Sequence, residues 1–341
     1  TTATGRCVLR VASASATSSP PVLDVVVADA CAAWETTSYR LERRQCDPRC
    51  VDAEWAHATT RREATPFRHV TPDVARWRAS DAATLSHRRT TPPRTGHRVA
   101  VLRTEGSNGD REMAAALYHA GHTVLDLTMD DVADAAADPL ADVRAVVFVG
   151  GFSHADVLGA GAGWCAHIEH HATLRARLMG CLAQPHVRSL GVCNGCQVMV
   201  RLGLLGPDVT LATNASGRFE SRFTTVSISA TAPGPWLQEL RGCGGLGVWS
   251  AHKEGRFVVG TTATCVPVLR YVGPDGRTAT HYPYNPNGSD GALAGVCSAD
   301  GRHLAMMPHP ERSYLGWQCP EGEAADWRRY TAWARLFTVS S

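Results

Sequence analysis

From His97 to Val192, short apolar segments alternate with segments of helical character, and this alternation limits the folds that the chain can adopt. Apolar strands separated by helices favour a mostly parallel sheet that is covered on both faces. We therefore predict an α/β domain in this part of the chain. The predicted strands are 98–102, 123–127, 145–149 and 190–192, and the predicted helices are 109–120 and a long stretch near 164–184.

The heptapeptide Gly191-Val-Cys-Asn-Gly-Cys-Gln197 follows the last of these strands and leads into a helical run. Small residues allow a sharp turn here, which holds Cys193 clear of the backbone and beside the positive end of a helix, where a thiolate is favoured. A strand, an elbow and a helix in this order are typical of a nucleophile. Far downstream, Pro308-His-Pro-Glu311 offers His309 as the base and Glu311 as the group that orients it. We predict a catalytic triad of these three residues.

A second cysteine in the elbow leaves other interpretations open. Cys193 and Cys196 form a C-x-x-C, a spacing found in redox pairs and in halves of zinc sites. No second C-x-x-C occurs in the sequence, and Cys46 and Cys50 lie in a polar segment. A buried structural cysteine is common in any protein. The local pattern favours the nucleophile over these alternatives, and we predict no metal site.

Two adjacent glycines stand at the end of the predicted strand 145–149. Ligands of open α/β sheets gather at the carboxyl ends of strands, and Gly150 and Gly151 would let backbone N–H groups approach a ligand closely. Together with the N–H of Asn194, they are candidates for an oxyanion hole. An ordinary tight turn is the alternative interpretation of the glycine pair.

Composition excludes several classes of function. The chain has 341 residues with 34 Lys and Arg against 32 Asp and Glu, so its charge gives no reason to expect a nucleic-acid partner. No apolar run is long enough to span a bilayer, and no secretory signal is recognisable. Twelve cysteines scattered over a chain of this length are expected to be reduced. We expect a soluble cytoplasmic protein without a membrane partner.

The sequence divides into three predicted regions. Residues 1–28 end in a segment typical of a strand, 22–27. Residues 29–96 begin with a helix that carries Trp34 and Leu41, and then become polar, rich in Arg and His and punctuated by proline, as expected of a linker. Residues 97–341 form the α/β region.

Several motifs of this chain, taken together and in order, are more specific than any one of them. They are Val101-Leu-Arg-Thr-Glu-Gly-Ser-Asn-Gly-Asp-Arg-Glu-Met113, Gly150-Gly-Phe-Ser-His-Ala-Asp-Val-Leu-Gly-Ala160, the Cys193 elbow, Asn214-Ala-Ser-Gly-Arg-Phe-Glu220, Tyr282-Pro-Tyr-Asn-Pro-Asn-Gly-Ser289 and Met306-Met-Pro-His-Pro-Glu-Arg312. In this order they resemble the glutamine amidotransferase domain of the large single-chain phosphoribosylformylglycinamidine synthases of purine biosynthesis.

The resemblance implies a class I, flavodoxin-like glutaminase domain. Upstream, Ala33-Trp-Glu-Thr-Thr-Ser-Tyr-Arg-Leu41 resembles the piece that links the synthetase half of that family to its glutaminase half. Residues 1–28 would then be the tail of an ATP-binding synthetase subdomain. We therefore expect the chain to be a C-terminal portion of a longer polypeptide.

The resemblance also implies which residues hold glutamine. They are Phe152 and Asp156 after the glycine pair, Gln197 on the elbow helix, and Asn214, Ser216 and Phe219 on a later loop. The carboxylate of Asp156 is suited to the α-ammonium group of glutamine. An exposed loop carboxylate is the alternative.

In the family, ammonia released from glutamine reaches the synthetase half. There ATP and Mg²⁺ support conversion of formylglycinamide ribonucleotide to the amidine. The resemblance therefore implies glutamine and the synthetase half as partners, and no cofactor in this portion.

The chain departs from the family pattern at Lys253, His154 and Ala155, where Gly, Tyr and Gly are more usual. His252 is a second candidate for the base, although a structural or interface role is more common for such a residue. Two other functions stay open: a catalytically silent homologue that acts as an interaction protein, and a glutaminase that serves another acceptor.

Overall fold

A computed structural model describes residues 8–11, 23–63, 97–320 and 330–338. The chain forms two compact units. The first contains the described residues before position 69 together with residues 215–218, and the second contains the remainder.

The first unit consists of a small hairpin and two helices. Strands β1 (Val8–Val11) and β2 (Leu23–Val26) pair antiparallel, and α1 (Val27–Gln45) follows β2 directly. Helix α2 (Pro48–Glu63) begins with a proline, which suits a first helical turn because the missing N–H has no partner there. Tyr39 stacks on Trp55 with ring centroids 4.5 Å apart. Side-chain pairs between the two helices therefore contribute to this unit.

Strand β2 and helix α1 of this region were predicted, but helix α2 was not. The sequence of α2 is polar and carries few apolar residues, so it has little of the periodicity that indicates a helix. Trp34, an apolar residue of the predicted helix, is 86% exposed, and none of the side chains of α1 is buried. The rest of the predicted linker, 64–96, lies outside the described residues.

The second unit is built on a nine-stranded mixed sheet in the order β4-β3-β5-β6-β13-β12-β11-β8-β9. The parallel half consists of β3 (Arg98–Arg103), β4 (Thr123–Thr128), β5 (Val143–Phe148), β6 (Arg188–Val192) and β13 (His303–Met306). The antiparallel half adds β8 (Glu220–Ile228), β9 (Leu246–His252), β11 (Val266–Tyr271) and β12 (Leu293–Cys297). Strands β7 (Val209–Ala212) and β10 (Arg256–Val259) form a separate pair.

Helices pack on the parallel half. They are α3 (Asp110–His119), α4 (Met129–Asp134), α5 (Ala162–His170), α6 (Ala172–Leu182) and α7 (Asn194–Arg201). The near-continuous apolar strands β3 and β5 are buried, as expected of strands that are covered on both faces. The predicted α/β class is confirmed.

One predicted helix is divided. The stretch near 164–184 forms α5 and α6, because the backbone at His171 is extended and its imidazole accepts a hydrogen bond from the N–H of Leu174. A side-chain acceptor at this position caps the second helix. No helix in the described ranges is both long and apolar enough to cross a membrane.

Candidate active site

Three neighbouring parallel strands place the predicted site residues at one edge of the sheet. Gly150 follows β5, Cys193 follows β6 and His309 follows β13, and these strands lie side by side. A Cβ atom added at Gly150 would lie 2.8 Å from Cε1 of His309 and 3.6 Å from Cβ of Cys193. The fold therefore brings the glycine, the thiol and the imidazole together at the carboxyl edge, where ligands of such sheets bind.

The elbow around Cys193 has the strained backbone of a nucleophile. Cys193 has φ 51° and ψ −107°, an unfavourable conformation for a residue with a side chain. Its N–H donates to the carbonyl of Met306 at 2.9 Å, which ties the elbow to β13. A Cβ atom at Gly195 would lie 2.0 Å from the carbonyl oxygen of Phe148. Only glycine lets α7 approach β5 this closely.

His309 and Glu311 form a buried pair. Nδ1 of His309 lies 2.6 Å from Oε1 of Glu311, and the two residues are 1% and 0% exposed. The backbone N–H of His309 donates to the carbonyl of Trp249 at 2.7 Å, which fixes the imidazole against β9. Because the carboxylate accepts the Nδ1 proton, Nε2 is the nitrogen left for the thiol and the substrate.

Electrostatics favour a charged His309. Burial alone would lower its pKa, but the negative charges of Glu311 and of the Cys193 thiolate together raise the pKa above its ordinary value. In its protonated form, the Cys193 thiol instead donates to the carbonyl of Ala251 at 3.2 Å. Within the described residues, Nε2 of His309 has no hydrogen-bond partner. The site can therefore hold an imidazolium beside the sulfur.

The glycine pair is fixed by the loop that follows β3. The carbonyl of Gly150 accepts from the N–H groups of Asn108 and Gly109 at 3.1 and 3.0 Å. Gly151 has φ 151°, and a Cβ atom there would lie 2.6 Å from the carbonyl oxygen of Gly106. This close backbone approach requires glycine. The predicted role of the pair in an oxyanion hole stays a prediction.

Asn194 and Gln197 extend the network from the elbow helix. Asn194 accepts from the N–H of Ser153 at 3.2 Å and donates to Gln197 at 2.9 Å. Gln197 in turn donates to the carbonyl of Glu254 at 2.8 Å. Both side chains are buried, so the elbow helix is linked to the loop after Gly151 and to the chain after β9.

The other predicted glutamine residues differ in their surroundings. The rings of Phe152 and Phe219 lie 5.9 Å apart and are 44% and 41% exposed, whereas Asn214 is buried with its carboxamide engaged by residues after β9. Burial and then the charge of Glu254 raise the pKa of Asp156. Ser216 belongs to the first unit, where its carbonyl accepts from the N–H of Asp47 at 3.0 Å.

Unpartnered buried atoms mark this site. In the described part of the chain, four buried side-chain oxygen or nitrogen atoms have no hydrogen-bond partner: Ser153 Oγ, Asp156 Oδ1, His309 Nε2 and Glu311 Oε2. A buried polar atom without a partner costs about 1–3 kcal/mol, so a cluster of them indicates a place where a ligand supplies the partners.

Ser153 and the backbone of residues 251–255 also belong to the candidate site, although the sequence did not predict them. Ser153 is fully buried on the loop that carries Phe152 and Asp156, so its position between them was an available signal. Backbone carbonyl contacts leave no signal in the residue types.

Two cavities lie away from the candidate site. Two surface cavities of about 500 and 460 Å³ open at the amino edge of the parallel strands, lined by residues such as Arg98, Arg144 and His186. No residue of the candidate site lines either cavity. Among the residues that the structure describes, no group of three or more His, Cys, Asp or Glu is arranged to hold a metal ion.

Comparison with known proteins gives a family match over most of the chain. Residues 96–340 match the family described as CobB/CobQ-like glutamine amidotransferase domain. A phosphoribosylformylglycinamidine synthase of Homo sapiens is 41% identical over 324 residues, which are 87% of this chain and 23% of that protein. A probable phosphoribosylformylglycinamidine synthase, chloroplastic/mitochondrial, of Arabidopsis thaliana is 41% identical over 304 residues, 84% of this chain and 21% of that protein.

Among solved structures, PurLQS from Thermotoga maritima aligns with a TM-score of 0.54 at 26% identity, over 71% of this chain and 95% of that chain. The chain thus spans less than a quarter of the length of the curated relatives above.

Proposed function

The chain belongs to the family of CobB/CobQ-like glutamine amidotransferase domains, and from this premise we propose that it hydrolyses glutamine and supplies the ammonia to a synthetase partner. The resemblance to phosphoribosylformylglycinamidine synthases that the motifs indicated is confirmed by the relatives. The observation that carries the proposal is the convergence of Cys193 and the His309–Glu311 pair at Gly150.

The proposed reaction begins at the carboxamide of glutamine. The Cys193 thiol gives its proton to Nε2 of His309, and its sulfur attacks the carboxamide carbon. The oxyanion that forms accepts hydrogen bonds from backbone N–H groups of the glycine pair and Asn194. His309 gives a proton from Nε2 to the departing nitrogen, so ammonia leaves and a glutamyl thioester remains. His309 then takes a proton from water, the hydroxide attacks the thioester, and glutamate and the free thiol are formed.

The charge of Glu311 supports both halves of this cycle. It holds the Nδ1 proton and stabilises the imidazolium, as the third member of a triad does. The Cys193 sulfur must leave the Ala251 carbonyl before it attacks, because a thiol that donates to that oxygen is not yet a nucleophile. We expect bound glutamine to favour this change.

Binding of the amino-acid end of glutamine is proposed to use the loop after the glycine pair. Asp156 and Ser153 both present an unpartnered buried oxygen, and a carboxylate is suited to the α-ammonium group. Phe152 and Phe219 form an apolar face beside this loop. The exposed fraction of both rings would fall if they cover the bound substrate.

The acceptor reaction is proposed from the relatives. They are named phosphoribosylformylglycinamidine synthase, so we propose that the ammonia serves the ATP-dependent conversion of formylglycinamide ribonucleotide to formylglycinamidine ribonucleotide. We assign ATP and Mg²⁺ to the synthetase half. Among the described residues, no group of three or more His, Cys, Asp or Glu is placed to hold a metal ion.

Covalent labelling tests the glutaminase proposal. The protein is treated with diazo-oxo-norleucine, and the modified peptide is identified by mass spectrometry in the wild type, Cys193→Ala and Cys196→Ala. Cys196 is a matched control because it is fully buried on α7, the helix that Cys193 precedes, and lies three residues away. We expect stoichiometric labelling at Cys193 that glutamine prevents, and its loss in Cys193→Ala alone.

Labelling spread over several cysteines, or none in a folded sample, would contradict the proposal. The silent homologue that acts as an interaction protein would then be favoured. Labelling at Cys193 with no ammonia transfer to a phosphoribosylformylglycinamidine synthetase half would instead favour a different acceptor.

A further inference from the structure

Five successive carbonyl groups after the middle of β9 each contact a residue of the site or of its supporting loops. The carbonyl of Ala251 accepts from the Cys193 thiol at 3.2 Å. The carbonyls of His252 and Lys253 accept from Nδ2 and from the backbone N–H of Asn214, each at 2.8 Å. The carbonyl of Glu254 accepts from Nε2 of Gln197 at 2.8 Å, and that of Gly255 accepts from Nδ2 of Asn287 at 2.7 Å. The path of this segment therefore sets the positions of the nucleophile and of two predicted glutamine residues.

The sheet holds Ala251 and His252, which pair with Ser221 and Glu220 of β8, but something else must hold residues 253–255, because β9 ends at His252. Oδ1 of Asn214 accepts from the N–H of Gly255 at 3.1 Å and lies 3.2 Å from Nδ1 of His252. The imidazole is 1% exposed, and a Cβ atom at Gly255 would lie 2.5 Å from Nδ1. The segment thus folds around the His252 ring and is closed by Asn214.

The hydrogen bonds assign the tautomer of His252. Nδ2 of Asn214 donates to the His252 carbonyl, so its Oδ1 is the acceptor and Nδ1 of His252 must carry the proton. Nε2 is then the acceptor nitrogen, and it faces the hydroxyl of Tyr271 at 3.5 Å. Burial, and then the charges of His309 and Arg222, lower the pKa of His252 to about 3.

A neutral imidazole is required at this place. His309 carries positive charge during the proposed reaction, and a second buried cation beside it would be repelled. With its Nδ1 proton bonded to Asn214 and its Nε2 facing Tyr271, His252 is poorly placed to serve as the base.

We propose that His252 is a positioning residue for the glutaminase reaction, whose Nδ1–H bond to Asn214 fixes the chain after β9 and, through the carbonyl of Glu254, Gln197 on the helix that follows Cys193. This inference rests on the proposed function. His252 acts through its neighbours and does not touch the reacting atoms.

Two substitutions separate the bond from the bulk of the side chain. In His252→Asn the carboxamide N–H replaces Nδ1–H, whereas in His252→Gln the donor lies one bond further, near the position of Nε2. We expect His252→Asn to keep kcat within about threefold of the wild type. We expect His252→Gln to lose roughly 5- to 100-fold in kcat and in the rate of Cys193 labelling, because the buried oxygen of Asn214 loses its bond to residue 252 and keeps only the N–H of Gly255 as a donor.

His303 provides the matched control. It is 7% exposed, and its Nδ1 lies 2.8 Å from Oγ of Ser189 at the amino edge of the sheet. We expect His303→Asn and His303→Gln to change the free energy of unfolding without the kcat difference between the two amides. Equal kcat values for His252→Asn and His252→Gln would overturn the inference.

A spectroscopic measurement on the wild type tests the tautomer and charge of the His252 ring even if the variants do not fold. We expect the ¹⁵N shifts of His252 to show a neutral Nδ1–H ring that does not titrate between pH 5.5 and 9. A neutral Nε2–H ring, or a ring that becomes charged in this range, would overturn the inference. Failure of the proposed function is distinguishable, because the wild type would then release no ammonia whatever the tautomer of His252.

Discussion

The carboxyl and amino edges of the parallel strands differ in the burial and the pairing of their polar groups. At the carboxyl edge, His309 and Glu311 are buried and retain atoms without partners, and Cys193 has a strained backbone. At the amino edge, charged groups are more exposed, and Arg98 and Arg302 are paired with Asp142 and Asp300. Two open cavities lie at the amino edge. The buried atoms without partners and the strained backbone thus lie at the opposite edge from these two cavities.

The largest difference between the edges should come from removing the nucleophile. We expect Cys193→Ala to lower glutaminase kcat by about 10³-fold or more, the range seen when a triad member is removed. Cys196→Ala should stay within a few fold, since its thiol is buried behind the elbow. Coupled detection of released glutamate measures both variants. Residual turnover above about one tenth in Cys193→Ala would place the chemistry elsewhere.

Replacing the orienting carboxylate should have the next effect. We expect Glu311→Gln to lower kcat by about 10²- to 10⁴-fold, because the imidazolium loses its buried counter-charge. The negative charge of Glu311 raises the pKa of His309, so the variant should lose the imidazolium at lower pH than the wild type.

The pH profile of Cys193 labelling measures this shift, and an unchanged profile would contradict it. The stability effect has a defined sign. Because the folded pKa of His309 lies above its unfolded value of about 6.5, its contribution to the free energy of unfolding is complete below that value and is lost as the pH rises through the folded pKa.

Two glycine substitutions compare the elbow with an open helix surface. Gly195→Ala places a Cβ atom 2.0 Å from the Phe148 carbonyl, so we expect a loss of about 3 kcal/mol or more in the free energy of unfolding. Gly180→Ala on α6 meets nothing within 4 Å and should raise stability by about 0.5–1 kcal/mol. Urea unfolding measures both, and equal effects would remove the special status of the elbow.

A smaller effect is expected at the loop after the glycine pair. We expect Asp156→Asn to raise the KM for glutamine by about 10- to 100-fold with a smaller change in kcat, since a charged hydrogen bond to the ammonium group is lost. Initial rates over a range of glutamine concentrations separate the two parameters. A fall in kcat at constant KM would argue against a binding role.

The smallest effect should come from the amino edge. Arg144 is exposed beside the larger cavity, and we expect Arg144→Ala to change stability by less than about 0.5 kcal/mol and to leave KM and kcat unaltered. A loss of activity comparable to that of Asp156→Asn would break the contrast between the edges.

The parallel half of the sheet could be predicted because its strands are apolar on both faces and its helices begin and end at clear signals. Thr128 caps α4 through a reciprocal bond with Asp131, for example. The antiparallel half could not be predicted, because which strand lies beside which depends on contacts between distant segments. The pairing of β8 with β9 joins Glu220 to His252, residues 32 positions apart.

Cys193, His309 and Glu311 could be proposed as a triad from the sequence because thiol, imidazole and carboxylate each need a specific residue type. The hydrogen bonds between Asn214 and His252 could not be predicted, since they depend on a backbone path that any sequence could follow. Ser153 was not predicted because it differs from an ordinary loop serine only in that its hydroxyl is buried and has no partner in the described residues.

The reliance of the site on main-chain oxygens between Ala251 and Gly255 has a consequence for how the gene can vary. A carbonyl is supplied by every amino acid, so side chains of this segment that point to solvent are open to substitution as long as the backbone keeps its course. Lys253 is exposed while its carbonyl still holds Asn214. Lys253 can thus be exchanged for another residue without loss of this contact as long as the backbone keeps its course.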